Sequence, residues 1–331
     1  MISGIAHQKL IRLLLAVVIG FSAANSPVLA QQSYPSRQVT IIVPIGPGTE
    51  VDWSARAYAQ KLSELWKVPV IVENKVGAGG DIGIGFVAKS SPDGHTLLLT
   101  GGSFAINPLV NKSSYDPVQS FKPVMITGVS HFAFVVSSKV RATTFEEFIA
   151  EAKARAGQLN YASPGNGTVQ HLTMELLKRE TGINLSHIPY KTAGAAISDL
   201  AGGTVDAAIV SPPQVVDLQK AGRVRILALL APQREEPIPN VPTIGELGFA
   251  GAVVTGWSAM LVPAATPAEI VDKLSRDMRT VRDSPDMQSA FLKRSGHSDK
   301  GGGTPDRLAS LIDADLKRWK SVVTSANIAP N

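Results

Sequence analysis

The sequence predicts an α/β protein of two domains, and three observations predict it. Short apolar, β-branched runs alternate with stretches of helical periodicity between residues 39 and 99, the pattern of a parallel sheet covered on both faces. A second series of the same kind runs between residues 130 and 230. A third section, from residue 257 on, holds one apolar run and two amphipathic helices, too few strands for a domain of its own. It is expected to pack back onto the first domain, so the chain crosses between domains twice, near 128–133 and near 250–257.

The elements follow in order. Val39-Thr40-Ile41-Ile42-Val43, stopped by Pro44, has the composition of a buried strand. Over 52–66, Ala55, Ala59, Leu62 and Leu65 recur at helical spacing. Residues 68–72 read as a second strand, 77–80 as a Gly-rich turn, the stretch to 89 as a helix and 96–99 as a third strand. Thr100 to Asn107 reads as a loop, and 107–122 shows no clear helix. Strands are expected at 124–127 and 132–137. A helix follows at 145–156, with Thr143 or Thr144 as cap and Glu146 or Glu147 reaching back. Strands at 161–162, 185–188, 206–210 and 225–230 then alternate with helices at 168–181, 193–201 and 214–221. Residues 257–262 are apolar, 267–282 form an amphipathic helix with Pro in its first turn, and 305–325 a long terminal helix.

Composition narrows the function classes. Within the first thirty residues Lys9 and Arg12 precede an apolar run from Leu13 to Ala24, and Val28-Leu29-Ala30 ends it. A basic start, an apolar middle and an A-x-A-like end predict a cleavable export signal, residues 1–30, and a periplasmic protein. The run is well short of the roughly 20 residues a membrane span needs. Removing Lys9 and Arg12 from the 32 basic residues leaves 30 against 27 acidic ones, a balance of +3 with no basic block, so nucleic acid is excluded as a partner. The chain has no cysteine, and about 300 residues bury a core without disulfides.

In open α/β sheets ligands bind beyond the carboxyl ends of the strands. The unusual residues gather there: Gly46-Pro47-Gly48-Thr49 after the first strand, Gly77 to Gly80 after the second, and Thr100 to Asn107 after the third. In the second series they are Ser163-Pro164-Gly165-Asn166-Gly167-Thr168, leading into a helix, and Ser211-Pro212-Pro213. Glycine lets backbone N–H groups approach a ligand, a helix N-terminus adds partial positive charge, and Ser, Thr and Asn add neutral donors. Such a set suits an anion. Each Gly-rich turn also has a purely structural reading, because short turns need glycine.

Enzyme motifs are missing. There is no phosphate loop of the G-x-x-x-x-G-K-[ST] type, no G-x-S-x-G and no H-E-x-x-H, and Gly77-Ala78-Gly79-Gly80-Asp81-Ile82 lacks the third glycine of a dinucleotide fingerprint. No two histidines beyond the signal have metal-ligand spacing. No catalytic residue, metal or cofactor is therefore assigned. His171 lies one turn into a helix and either reaches the cleft or caps the structure. Asp52 either binds a ligand donor or caps the first helix. The tryptophans read as packing residues, with Trp257, near the second crossover, the best candidate exception.

These stretches, in their order, resemble the extracytoplasmic solute receptors of the tripartite tricarboxylate transporters, the Bug family. The resemblance is carried by Tyr34-Pro35-Ser36-Arg37, Ile42-Val43-Pro44, Val72-Glu73-Asn74, Gly77 to Gly80, Ser91-Pro92-Asp93-Gly94 and Ala105-Ile106-Asn107-Pro108. It continues through Leu159-Asn160-Tyr161-Ala162-Ser163, Gly165-Asn166-Gly167-Thr168, Ile188-Pro189-Tyr190-Lys191, Val241-Pro242-Thr243 and Gly303-Thr304-Pro305. It implies a type II periplasmic-binding-protein fold: two α/β lobes, residues 31–130 with 255–331 and residues 131–254, joined by two crossovers around a closing cleft. It also implies a small carboxylate held by amides, hydroxyls and waters. The residues concerned are Pro47, Gly48, Thr49 and Asp52; Ser103, Ala105 and Asn107; Ser163, Gly165, Asn166, Gly167, Thr168 and His171; and Ser211. The implied partners are membrane permease subunits serving uptake, with a sensor kinase or a periplasmic enzyme as alternative readings, and the implied state is a monomer. Two places depart from the family pattern. Thr49 and Glu50 stand where glycines are usual, and Ser211 stands where amino-acid-binding relatives often carry an acid.

Overall fold

The structure is a computed structural model and describes residues 34–236, 238–295 and 303–328. The expected export signal lies outside the described residues.

Two five-stranded sheets form the framework. The first contains β1 (Val39–Val43), β2 (Val70–Asn74), β3 (Thr96–Gly101), β4 (Phe121–His131) and β10 (Thr255–Pro263), in the order β2-β1-β3-β10-β4. The second contains β5 (Ala133–Ser137), β6 (Asn160–Ser163), β7 (Ser186–Pro189), β8 (Ala207–Val210) and β9 (Val224–Leu229), in the order β7-β6-β8-β5-β9. The two-lobed α/β class is as the pattern predicts. The all-parallel expectation is corrected at one strand in each sheet: β10 runs antiparallel to β3 and β4, and β5 antiparallel to β8 and β9.

The reason is the brevity of the crossover. Phe132 alone separates β4 from β5, so the chain has no room to turn and keeps its direction into the second sheet. The carboxyl ends of the parallel strands in both sheets point toward the gap between them. A strand that continues straight across that gap must therefore run away from it. β10 makes the return crossing under the same constraint. The crossing segments are tied together: Leu230 N–H donates to Phe132 O at 2.8 Å and Val254 N–H to Leu230 O at 2.9 Å.

Helices fill the connections. In the first series these are α1 (Glu50–Trp66), α2 (Asp81–Ala88) and α3 (Ser103–Val110); in the second, α4 (Phe145–Ala154), α5 (Val169–Thr181), α6 (Ala193–Gly202) and α7 (Val216–Lys220). Thr144 and Glu147 close a capping box on α4. The loop expected at 100–107 is instead largely α3, which carries Pro108 inside it. Proline removes one helical donor and frees a carbonyl four residues back. That carbonyl, Phe104 O, accepts the Tyr115 hydroxyl at 2.9 Å, so the loss is made good. The last section adds α8 (Ala268–Arg282), α9 (Pro285–Ser295) and α10 (Pro305–Ser325). α9 was not expected; Pro285 at its first position and the buried pair Met287 and Phe291, one turn apart, are its signal.

The terminal helix refines the expectation that the third section packs only on the first lobe. Leu308 and Ile312 join the core of the first sheet, with Ile42, Leu98, Phe104 and Trp257. Trp319, Val322 and Val323, farther along α10, join the core of the second sheet, with Phe134, Phe148, Tyr161 and Leu172. Burial of such side chains is worth about 1.5–3 kcal/mol each, so α10 holds both halves.

Candidate functional site

The first loop is built around one buried acid. Thr49 caps α1 and accepts from Asp52 N–H at 3.3 Å, so the cap is Thr49 rather than Asp52. Gly48, at φ +82°, donates its N–H to Asp52 Oδ2 at 2.9 Å. Arg56 donates to both Asp52 oxygens, at 3.1 and 2.9 Å, and Asn74 Nδ2 to Oδ1 at 2.8 Å. Burial raises the Asp52 carboxyl, but donation by Arg56, Gly48 and Asn74 outweighs it and holds the acid below its ordinary range. Asn74 also donates to Ile45 O at 3.0 Å, tying the end of β2 to the same loop.

The loop after β6 rests on a stack of rings. Thr168 caps α5, accepting from His171 N–H at 3.3 Å and donating to Gly165 O at 2.8 Å. Gly165 N–H donates to Ser163 Oγ at 3.1 Å. Gly167 N–H donates to His171 Nδ1 at 3.1 Å, which requires that nitrogen to be unprotonated. His171 stacks on His187 with ring centroids 4.1 Å apart, and His187 on Tyr161 at 4.7 Å. His187 Nε2 lies 2.7 Å from Ser163 Oγ. Burial lowers both histidines, His187 to about 4, with the neighbouring His171 adding to the shift. Tyr161 donates to Glu175 at 2.6 Å, and Lys178 pairs with the same carboxylate at 2.8 Å.

Between the sheets lies a cavity of about 680 Å³ lined by Gly48, Thr49, Glu50 and Trp53 from the first loop and α1, and by Ser130 and His131 from the end of β4. Ser211, Pro213 and Gln214 after β8, and Ala290 of α9, complete it. The volume suits a small molecule. The His131 ring approaches Glu235 through Nδ1.

Of the expected residues, Gly48, Thr49 and Ser211 meet in this cavity, and Pro47 is exposed beside them in the chain. Glu50, one of the two departures from the family pattern in this loop, is also among the lining residues. Asp52 is not among the lining residues; its carboxylate is spent on the loop. Ser103 is half-buried at the start of α3, while Ala105 and Asn107 are buried. Asn107 Nδ2 donates to Gly79 O at 2.7 Å and so braces the second Gly-rich turn. Ser163 and Gly167 are buried, Gly165 and Thr168 half-buried and Asn166 exposed. This loop meets the first lobe directly: a Cβ on Gly167 would stand 2.7 Å from Val110 Cγ2, and one on Gly102 2.9 Å from Val169 Cγ2. His171 is buried, with Nδ1 turned to the loop amide rather than to the cavity. Trp257 is core, its Nε1 donating to Asp315 at 2.7 Å.

Sequence reasoning passed over Trp53, Ser130, Gln214 and Ala290 as lining residues, and His187 as a support. Trp53 was legible three residues after Glu50, on the same helix face. His187 pairs with Tyr161 across β6 and β7, a register that one sequence does not reveal.

Comparison with known proteins fits this geometry. The model of the tripartite tricarboxylate transporter family receptor matches residues 54–328. Protein BugT of Bordetella pertussis is 34% identical over 315 residues, 93% of this chain and 96% of its own. A protein of R. palustris, Rpa4515, solved with adipate, is 32% identical with a TM-score of 0.80, over 90% of this chain and 100% of that one. The periplasmic binding protein BugD is 29% identical with a TM-score of 0.78, over 90% and 100%. The two-lobed fold expected from the resemblance is the fold of these relatives, and the chain belongs to the tripartite tricarboxylate transporter receptor family.

Proposed function

We propose that the chain is a periplasmic solute receptor that captures a small carboxylate between its lobes and delivers it to membrane permease subunits, without chemistry on the ligand. The observation that carries this reading is the cavity at the facing strand ends, walled by Gly48, Thr49, Ser130, Ser211 and Gln214, among which the Ser130 and Ser211 hydroxyls and the Gln214 side-chain amide are neutral donors. The receptor family, a relative named as periplasmic and a relative solved with adipate support it. In this reading the lobes are residues 31–130 with 255–331 and residues 131–254, bridged by α10, and the loop at 163–168 with Ser103 closes the opposite wall. Closure exchanges ligand hydration for fixed donors, and the permease recognises the closed form. The test is calorimetry on protein freed of ligand by unfolding and refolding, against a panel of aliphatic, hydroxy, amino and aromatic acids. Heat of binding and a raised Tm with at least one acid are expected. No stabilisation by any acid would refute the reading.

A further inference from the structure

We propose that Asn166 is a self-modification site: its side-chain amide becomes a carboxylate by way of a cyclic imide with the Gly167 nitrogen, and His171 is the base that takes the Gly167 proton. The reaction belongs to the loop itself and holds whatever ligand the cleft takes.

Three observations meet at this peptide. Of the chain's asparagines only Asn166 precedes a glycine, and glycine has no Cβ to obstruct ring closure through its nitrogen. Asn166 is exposed between Gly165, at φ +134°, and Gly167, at φ +71°. Among the described residues its carboxamide has no hydrogen-bond partner, so it is free to turn toward the next peptide. The Gly167 N–H carries the proton that must leave, and it points at His171 Nδ1 at 3.1 Å, within the reach required of a general base. A loop N–H paired with a carbonyl oxygen has nowhere to send its proton; one paired with a neutral imidazole does.

The ring is held for this task. Thr168 Oγ1 accepts from His171 N–H at 3.3 Å and fixes the first turn of α5. His187 of β7 lies against the His171 ring with centroids 4.1 Å apart, and Tyr161 of β6 lies against His187 at 4.7 Å. Burial lowers His171, which keeps Nδ1 unprotonated at neutral pH. Glu175 and Lys178, the charged groups facing the two rings, act in opposite senses.

The step needs no reagent beyond water. His171 removes the proton in the plane of the 166–167 peptide, and the Gly167 nitrogen attacks Asn166 Cγ across the face of that plane. The N–Cγ bond forms, the Cγ–Nδ2 bond breaks, and the proton held by His171 leaves with the amide nitrogen as ammonia. Water then opens the imide at either carbonyl, giving aspartate or isoaspartate. Either product sets a carboxylate in the loop beside Val110 of the first lobe, which a Cβ on Gly167 would meet at 2.7 Å. Isoaspartate also lengthens the backbone and shifts the Gly167 N–H off His171.

The experiment is peptide mapping by mass spectrometry of the full chain held at 37 °C from pH 6 to 9 at fixed ionic strength, with aspartate and isoaspartate products separated. Asn166 is expected to convert ahead of every other asparagine. Its rate should be nearly flat from about pH 6.5 upward, where neutral His171 is the base, whereas hydroxide alone would raise it about tenfold per pH unit. His171→Gln keeps a polar side chain but is no base; it should slow conversion about 100-fold and restore the hydroxide slope. Circular dichroism checks the fold of the variant. Unfolding the wild-type chain in guanidinium at pH 7 parts the ring from the amide and should also slow conversion, a comparison that needs no variant. An Asn166 that reacts no sooner than the other asparagines, a folded chain that converts no faster than the unfolded one, or a folded His171→Gln as fast as wild type overturns the proposal.

Discussion

The ring stack under the 163–168 loop makes stability fall with acid, and the size of the fall follows from the structure. Gly167 N–H points at His171 Nδ1, and His187 lies 2.7 Å from the Ser163 hydroxyl while stacked on His171. A proton on His171 Nδ1 would set two donors face to face, and a charge on either ring would sit against the other. Glu175 and Lys178, the charged groups facing the pair, act in opposite senses. The folded pKa of His187, about 4, lies below its ordinary 6.5, so the unfolded chain binds more protons between those values. Its contribution is therefore complete above pH 6.5 and is lost as pH falls toward 4. Between pH 7 and 4.5 this integrates to about 2–2.5 kcal/mol, which partial exposure of the ring reduces to about 1–2 kcal/mol. His171 adds in the same direction. Guanidinium denaturation at pH 7.0, 6.0, 5.0 and 4.5, at fixed ionic strength, measures it. Carboxylates titrate in the same range, so the informative quantity is wild type minus His187→Gln, which keeps a polar partner for Ser163 and cannot titrate. The difference should narrow by about 1–2 kcal/mol as pH falls. Parallel curves for the two proteins, or a wild type more stabilised over the variant at pH 4.5 than at 7, would refute the reasoning.

Other outcomes follow from single contacts. Asp52→Ala removes the acceptor shared by Gly48, Arg56 and Asn74 and should cost about 2 kcal/mol in urea denaturation, with weaker ligand binding as the loop loses its brace. Gly167→Ala meets Val110 Cγ2 at 2.7 Å and a backbone φ of +71°, so a loss of about 2–3 kcal/mol is expected. Val110→Ala in the same chain should relieve the clash but not the φ strain, which a double-mutant cycle resolves as a coupling near 1 kcal/mol. Trp257→Phe leaves the buried Asp315 without its indole donor and should cost about 2 kcal/mol at pH 8. Burial already raises the Asp315 carboxyl against that donor, so losing the donor raises it further. A raised acid stabilises below its unfolded pKa and loses that stability as pH rises through the folded value. The cost of Trp257→Phe should therefore be smaller at pH 5 than at pH 8, as thermal denaturation at the two pH values will show.

The sequence was most legible where one residue type settles a local matter. The run from Val39 to Val43, stopped by Pro44, gives β1 to the residue, and the 305–325 periodicity gives α10. Strand direction was not legible, because a doubly covered strand has the same composition whichever way it runs. The reversal of β5 and β10 comes from the one-residue link at Phe132 and the position of the cleft, both tertiary facts. Pro108 hid α3 in the same way: the hydroxyl that repairs the proline's damage is seven residues on, at Tyr115, across a turn. The site divides along this line. Gly48, Thr49 and Ser211 follow strands and were readable from the rule about strand ends. Asp52 and His171 were readable as polar residues near those ends, but whether a polar side chain faces the ligand or holds the loop depends on what else offers it a hydrogen bond. Gly48, Arg56 and Asn74 claim Asp52, and Gly167 claims His171, so both act from behind. Glu50, next in the chain to the cap, is instead among the residues that line the cavity. The two residues that set the first loop apart from its family pattern, Thr49 and Glu50, thus both stand at the cavity wall, while the polar residues that fit the pattern hold the loops behind it.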